Sequence, residues 1–188
     1  MVITKGALTN CITTSNSGGF WGPELKFAGY DLVLIKGKSE TPKYLFIYDD
    51  KVELRDAEHL WGKTVNETED GLKEELGIPG LRTCCIGPAG ENLVKFACIM
   101  NDKHRAAGRS GVGTVMGSKG LKAIAVRGTG GVEVSDGDAF MKALWDMRGE
   151  MIVNPTYEAF GMFGTASTID LTQAFGGLPT RNFQQGQF

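Results

Sequence analysis

Residues 104–119 form the segment whose residue types are most suited to bind a ligand. The segment is rich in glycine and carries three cationic side chains. Small residues let backbone N–H groups approach an anion without obstruction by side chains. Arg105, Arg109 and Lys119 add positive charge, and a guanidinium can bind a phosphate through two hydrogen bonds. These residues predict a cradle for an oxyanion, most simply a phosphate. The alternative is a glycine-rich turn with solvated arginines.

The spacing within this segment fits neither of the common nucleotide-binding motifs. A P-loop places its lysine directly after a glycine, but Ser118 separates Lys119 from Gly117. A dinucleotide fingerprint has the spacing Gly-x-Gly-x-x-Gly, and Gly117 comes one residue late after Gly111 and Gly113. We also expect a strand, rather than a helix, to be the next element. A generic phosphate-ligand-binding domain remains an alternative function.

Composition and charge argue against several other functions. Of 188 residues, 41% are hydrophobic and 22% are charged, as in ordinary soluble globular proteins. The net charge of −2 provides no general field for nucleic acid or anionic lipid, so we expect neither partner. No run approaches the ~20 apolar residues of a membrane span. The first residues lack the apolar core of a signal peptide, and we expect a cytoplasmic protein.

The cysteines do not form a metal-binding motif. Cys11, Cys84, Cys85 and Cys98 show no Cys-x-x-Cys spacing, so we expect no four-cysteine iron–sulfur site among them. Adjacent cysteines on a strand point to opposite faces of the sheet. We therefore predict buried, reduced thiols that act as small apolar side chains in a cytosolic protein.

Residues 1–133 have the pattern of a β-rich domain. Short apolar or alternating runs between turn residues are typical of strands. Such runs lie at residues 32–35, 44–48, 52–55, 83–86, 93–100 and 122–126. The second and third runs, separated by Asp49 and Asp50, predict a hairpin.

One helix is predicted inside this region. Thr64 or Asn66 can cap its first turn, with Glu67 or Glu69 three residues later completing a capping box. Gly77 is suited to end it.

The character of the sequence changes near residue 133 and becomes helical. Ser135 and Asp138 have the spacing of a capping box, and Asn154 with Pro155 predicts the start of a second helix. Apolar residues at helical spacing predict one buried helix face. They are Phe140, Met141, Leu144, Trp145, Met151 and Ile152. The predicted fold class is α+β, a β-rich domain followed by an unfinished helical region.

Four blocks together resemble the aldehyde ferredoxin oxidoreductase family of tungsten- or molybdenum-pterin enzymes. They are Asn16-Ser17-Gly18-Gly19 with residues 24–31, Ile86-Gly87-Pro88-Ala89-Gly90 within residues 86–94, Arg105-Ala106-Ala107-Gly108-Arg109 within residues 105–124, and Leu178-Pro179-Thr180-Arg181-Asn182-Phe183. The order and spacing of the blocks agree with the family, and the resemblance covers nearly the whole chain.

The resemblance implies a fold and a cofactor. Family members hold tungsten or molybdenum through the dithiolenes of two pterins, beside a [4Fe–4S] cluster that passes electrons to ferredoxin. Two sheets of their N-terminal domain form a base under this cofactor, and helical domains complete the site. We therefore expect residues 1–133 to be a pterin-cofactor-binding domain, incomplete at its N-terminus. Residues 134–188 are expected to begin the helical second domain.

The resemblance also implies which residues bind the cofactor. Two family loops hold the pterin phosphates and a bridging magnesium ion. They correspond to Asn16 and Gly18, and to Arg105, Ala106 and Gly108. The backbone carbonyls of Asn16 and Ala106 would be the magnesium ligands, and carbonyl oxygens suit that ion. Arg105 would offset phosphate charge.

Several parts of the family pattern lie outside these 188 residues. They are an arginine that precedes the equivalent of Val2, the cluster cysteines, further pterin loops and the acid/base residues. We therefore expect a chain truncated at both ends and inactive alone. The parent would be a homo-oligomer that oxidises a small aldehyde to a carboxylic acid with ferredoxin as electron acceptor. A non-catalytic remnant or structural module is the alternative from a different class.

Overall fold

Most of the apolar runs in the first two thirds of the chain form strands, and the computed structural model describes all 188 residues. The strands are β1 Val2–Lys5, β2 Ile12–Ser15, β3 Lys43–Tyr48, β4 Lys51–Asp56, β5 Arg82–Cys85, β6 Ile99–Asn101, β7 Arg105–Ala107 and β8 Leu121–Arg127. The helices are α1 Trp21–Phe27, α2 Val65–Leu76, α3 Pro88–Glu91, α4 Val112–Ser118, α5 Gly137–Ile152, α6 Pro155–Phe163 and α7 Ile169–Ala174. The chain divides into two compact units, Met1–Val132 and Glu133–Phe188.

The first unit contains two sheets. Strands β1 and β2 form a small antiparallel sheet, and the other six strands form a sheet in the order β4-β3-β8-β5-β6-β7. Strand β8 is parallel to β3 and antiparallel to β5, so it lies inside the sheet between two paired neighbours. The two sheets with their helices confirm the predicted α+β class. The hairpin of β3 and β4 is also confirmed.

Side chains of β8 point alternately to the two faces of the large sheet, and each face carries a hydrophobic core. Ile124 and Val126 pack on one face with Met116 of α4. Ala123 and Ala125 pack on the other face, where Leu72 of α2 covers them. Cys84 and Cys85 of β5 divide between the two cores, as the period of two in a strand requires.

Helix α2 has the predicted start and stop. The Thr64 side chain accepts from the backbone N–H of Glu67, and the Glu67 carboxylate accepts from the backbone N–H of Thr64 at 2.8 Å. Gly77 ends the helix in the left-handed conformation, with φ of 60°. Both signals act within four residues of chain, which is why the sequence predicts them well.

Two of the predicted strands are wrong. Residues 32–35 join neither sheet, and Leu32 and Leu34 are each 71% exposed. Of residues 93–100, only Ile99 and Met100 are in a strand. The preceding residues turn locally instead, with the N–H of Val94 donating to the Ala89 carbonyl at 2.9 Å. An apolar run predicts burial, but a strand also needs a neighbouring strand with which to pair.

The second unit consists of helices α5, α6 and α7 with short connections. Asp136, rather than the predicted Ser135, caps α5 by accepting from the backbone N–H of Ala139 at 2.9 Å. Asn154 caps α6 and Pro155 occupies its first turn, as predicted. None of the helices in the chain has both the length and the apolar character needed to cross a membrane.

The apolar face predicted for α5 is not buried. Helix α5 contains no buried residue, and Trp145 is 59% exposed. The other apolar residues at this helical spacing are also exposed, from 38% for Leu144 to 54% for Phe140. The helical spacing of these residues shows that one face of α5 is apolar, but it does not show that the face is buried.

A buried ion pair joins the centre of the large sheet to two connecting segments. The ammonium of Lys122 in β8 contacts the Glu91 carboxylate of α3, and these side chains are 0% and 4% exposed. The ammonium also donates to the Lys63 carbonyl at 2.8 Å. The second carboxylate oxygen of Glu91 accepts from the backbone N–H of Gly62 at 2.8 Å. Both charges are therefore paired and hydrogen-bonded away from water.

Removing one partner of this pair is expected to be costly. Lys122→Ala should lower the free energy of unfolding by about 3–5 kcal/mol, because it leaves the Glu91 charge buried alone. Replacing both partners, as in Lys122→Met with Glu91→Leu, should recover part of the loss. The measurement is chemical denaturation followed by circular dichroism.

A matched control is Lys51→Ala, which removes an exposed partner of Glu53. It should change the free energy of unfolding by no more than about 1 kcal/mol. An effect of Lys122→Ala as small as that of the control would contradict the assigned importance of the buried pair.

Candidate functional site

The two predicted binding loops both lie on the surface of the first unit. Asn16 and Gly18 follow β2, and Arg105, Ala106 and Gly108 lie on or directly after the edge strand β7. All five residues are exposed. Their backbone is therefore open to a ligand from solvent.

Two serine side chains hold these loops beside each other. The hydroxyl of Ser15 accepts from the backbone N–H of Arg109 at 3.0 Å. The hydroxyl of Ser17 accepts from the side-chain amide of Asn101 at 3.1 Å. The structure thus brings together loops separated by about 90 residues of chain. The sequence prediction did not use the two serines that flank Asn16, although hydroxyl groups are suited to form hydrogen bonds with neighbouring polar groups.

The backbone of Gly19 lies close to side chains of the β6–β7 segment. Its φ is +96°, and an added Cβ would lie 2.5 Å from Asp102 Oδ2 and 2.6 Å from Asn101 Oδ1. A side chain is excluded there by both the conformation and the space. The next residue, Phe20, donates its backbone N–H to Asp102 Oδ2 at 2.6 Å.

The later glycines of the glycine-rich segment serve packing, which corrects the predicted extent of the oxyanion cradle. A Cβ on Gly111 would overlap the Lys95 carbonyl oxygen, and one on Gly113 would overlap that of Cys98. Residues 112–118 also form helix α4, where the sequence predicted no helix before the next strand. Helix α4 lies so close to α3 that a Cβ on Gly117 would overlap the Gly90 carbonyl oxygen.

The cationic side chains of the segment also divide into two groups. The ammonium of Lys119 donates to the Gly37 carbonyl at 2.9 Å, so this group already has a hydrogen-bond partner within the chain. Arg105 and Arg109 are exposed, and their guanidinium groups form no ion pair with another residue. The predicted cradle is therefore confined to residues 105–109 and the facing loop.

The glycines of this smaller site differ from those of α4 in the space beside them. A Cβ on Gly18 would meet nothing within 4 Å, and one on Gly108 would meet only the Cβ of Ala106 at 3.8 Å. These two glycines are open, in contrast to those of α4. Guanidinium groups that have no ion-pair partner, such as those of Arg105 and Arg109, are suited to bind oxyanions.

The cysteines do not form a metal centre. Cys84 and Cys85 are buried as predicted, Cys98 is half-buried, and the prediction is wrong for Cys11, which is exposed. Burial raises the pKa of the Cys84 thiol far above its ordinary value and raises the pKa of Cys85 to about 12. Among the 188 residues, no three His, Cys, Asp or Glu side chains converge as a set of metal ligands.

A comparison with known protein families identifies the family of this chain. The model of the aldehyde ferredoxin oxidoreductase N-terminal domain matches residues 1–128. The chain belongs to the aldehyde ferredoxin oxidoreductase family.

Individual relatives match over the whole chain. The chain is 52% identical over 188 residues to a tungsten-containing aldehyde ferredoxin oxidoreductase of Thermococcus kodakarensis, covering 100% of this chain and 31% of that protein. It is 49% identical to the protein of the same name from Pyrococcus furiosus, with the same coverage. An aliphatic sulfonate oxidoreductase WOR-like subunit of P. furiosus is 36% identical, covering 98% and 31%. The chain thus spans 31% of the length of these relatives.

A solved structure has the same fold. It is the active-site complex BamBC of benzoyl coenzyme A reductase with 1,5-dienoyl-CoA, with a TM-score of 0.77 and 43% sequence identity. The match covers 81% of this chain and 24% of that chain. Members and neighbours with different names therefore share this α+β architecture.

The contact between α3 and α4 gives a testable requirement for glycine. Gly117→Ala should destabilise the first unit by about 3 kcal/mol, because the added methyl group overlaps backbone rather than a movable side chain. Gly22→Ala is the matched helical control, since a Cβ there meets nothing within 4 Å. Denaturant unfolding measures both variants, and equal stability of the two would contradict the packing role of Gly117.

The cysteines should differ sharply in reactivity. The thiolate is the nucleophilic form, so the raised pKa values and burial of Cys84 and Cys85 should protect them from iodoacetamide at pH 8. Cys11 should be alkylated first, and Cys11→Ser should abolish the early mass increase. Mass spectrometry of timed samples gives the order. Alkylation of Cys84 or Cys85 in the folded protein at the rate of Cys11 would contradict the structure.

Proposed function

We propose that this chain supplies pterin-phosphate and magnesium-binding loops to a tungsten (or molybdenum) bis-pterin oxidoreductase. The observation that carries the proposal is the pair of exposed loops held side by side, with open backbone and two unpaired guanidinium groups. Residues 1–133 would form the cofactor-binding domain, and residues 134–188 would begin the helical domain that follows. Relatives named as tungsten-containing favour tungsten over molybdenum.

Each proposed residue has a role suited to its chemistry. The backbone carbonyls of Asn16 and Ala106 would hold the magnesium ion, which prefers oxygen ligands and shares phosphate oxygens. Arg105 would bind phosphate and offset its charge. Gly18 and Gly108 would let the ligand approach the backbone, since neither is covered by other atoms of the chain.

The proposed reaction of the intact enzyme is the oxidation of an aldehyde to a carboxylic acid. Water supplies the added oxygen atom, and two electrons and two protons leave the substrate. The bound metal–pterin group would supply the two-electron redox centre, and a [4Fe–4S] cluster would carry the electrons to ferredoxin. We place this homo-oligomeric enzyme in the cytoplasm. The chain itself would contribute binding without catalysis, because none of its side chains converge on the two loops as a set of cluster ligands.

The proposed phosphate role of Arg105 can be tested with a simple ligand. Arg105→Ala should weaken binding of inorganic pyrophosphate in the presence of magnesium by about tenfold or more, because a charge-assisted hydrogen bond is lost. Isothermal titration calorimetry on the 188-residue chain measures the affinity. Arg148→Ala, an exposed arginine of helix α5, is the control and should bind like the wild type.

Further measurements on the 188-residue chain distinguish the proposed function from the alternative functions. Binding of pyrophosphate that is insensitive to Arg105→Ala would count against the site. Strong thermal stabilisation by ATP or NAD, larger than that by magnesium pyrophosphate, would favour a nucleotide-binding domain instead. Elemental analysis for tungsten, molybdenum and iron, with an assay for released pterin, would show whether these loops retain the cofactor without other domains.

A further inference from the structure

Asp102 lies in the turn between β6 and β7, directly before the strand that carries Arg105. Its backbone φ is 46°, and that of the following Lys103 is 59°, so the turn has an uncommon conformation for non-glycine residues. A buried carboxylate supports this turn, because Glu69 accepts from the backbone N–H of Lys103 at 3.2 Å. The side chain of Asp102 is only 14% exposed.

The carboxylate of Asp102 connects three separate segments. One oxygen accepts from the backbone N–H of Phe20, at the end of the loop that contains Asn16 and Gly18. The other oxygen lies 3.5 Å from a guanidinium nitrogen of Arg82 in β5. That guanidinium is in turn stacked over the Phe20 ring, 4.7 Å from its centroid. The Phe20 backbone is therefore held by the Asp102 acceptor, and the Phe20 ring lies against Arg82 of β5.

One of the proposed binding residues, Arg105, lies next to the contact between Asp102 and Phe20. An added Cβ on Gly19 would lie 3.0 Å from the Arg105 Cγ as well as 2.5 Å from Asp102 Oδ2. The stem of Arg105 thus lies against the backbone of the facing loop, at the place where Asp102 holds that loop. Release of the Phe20 N–H would free the loop to move away from Arg105.

We propose that Asp102 is a positioning residue that fixes the spacing between the Asn16–Gly19 loop and the Arg105–Gly108 loop. It does not touch the ligand, and it acts through Phe20 and Gly19. A site assembled in advance pays less ordering entropy on binding, so loss of this contact lowers affinity without removing a ligand contact. The inference rests on the proposed binding of magnesium and phosphate by these loops.

The test compares variants that keep or lose the acceptor at position 102. Asp102→Ala removes it, whereas Asp102→Asn keeps an oxygen that can accept from the Phe20 N–H. Gly19→Ala attacks the same contact from the other loop, because its methyl group collides with the Asp102 oxygen. The controls are Asp50→Ala in the exposed β3–β4 turn and Gly22→Ala, where a methyl group meets nothing.

Two readouts are taken on the folded 188-residue chain. The first is hydrogen exchange at the Phe20 amide, and the second is the affinity for inorganic pyrophosphate with magnesium. Asp102→Ala and Gly19→Ala should speed exchange and weaken binding, each by about tenfold, because a hydrogen bond to a charged group is lost. Asp102→Asn and both controls should stay within about threefold of the wild type in each measurement.

The outcomes separate this inference from the proposed function. Unchanged Phe20 exchange in Asp102→Ala would overturn the positioning role, whatever happens to binding. Equal losses in Asp102→Asn and Asp102→Ala would also overturn it, since the retained acceptor would then have no effect. Failure of the wild type to bind magnesium pyrophosphate would overturn the proposed function and the binding role of Asp102 with it. In that case, exchange would still report whether the two loops are tied together.

Discussion

The buried ammonium of Lys122 is the constraint on which the arrangement of the first unit depends. An unpaired charge at the centre of a sheet would be too costly, so the surrounding chain must provide Glu91 and a carbonyl oxygen. This requirement fixes α3 against β8 and holds the segment before α2 through the Gly62 N–H. Helix α4 packs so closely against α3 that a Cβ on Gly117 would overlap the Gly90 carbonyl oxygen, and α4 directly precedes β8.

This packing explains why the glycine-rich segment has two different parts. Gly113 and Gly117 let α4 lie directly on the backbone of neighbouring segments, so their small size contributes to stability. Gly108 precedes the helix, and a Cβ there would make only an ordinary contact with the Ala106 side chain. The rigid half anchors the exposed half, and a loop with an anchored end is a better binding site than a freely moving one.

The sequence predicts those features whose cause lies nearby in the chain. The capping box of Thr64 and Glu67 and the end of α2 at Gly77 depend on a few adjacent residues. Residues 32–35 were mispredicted because strand formation depends on a distant partner. The family resemblance predicts two binding loops, but the contacts that hold these loops together follow only from the structure. Ser15 and Asp102 reach partners more than 80 residues away, and no local pattern reveals such pairs.

The overlap of a Gly117 methyl group with the Gly90 carbonyl has a consequence for how the glycine-rich segment is interpreted in related sequences. A relative that binds no ligand at the two loops would still need those glycines in order to fold, so their presence shows common ancestry and does not show ligand binding. The informative positions are the ones that folding leaves free, Gly108 and the unpaired Arg105. The proposed binding role predicts that Gly108 and Arg105 vary in relatives that lack the cofactor, whereas Gly90 and Gly117 are kept.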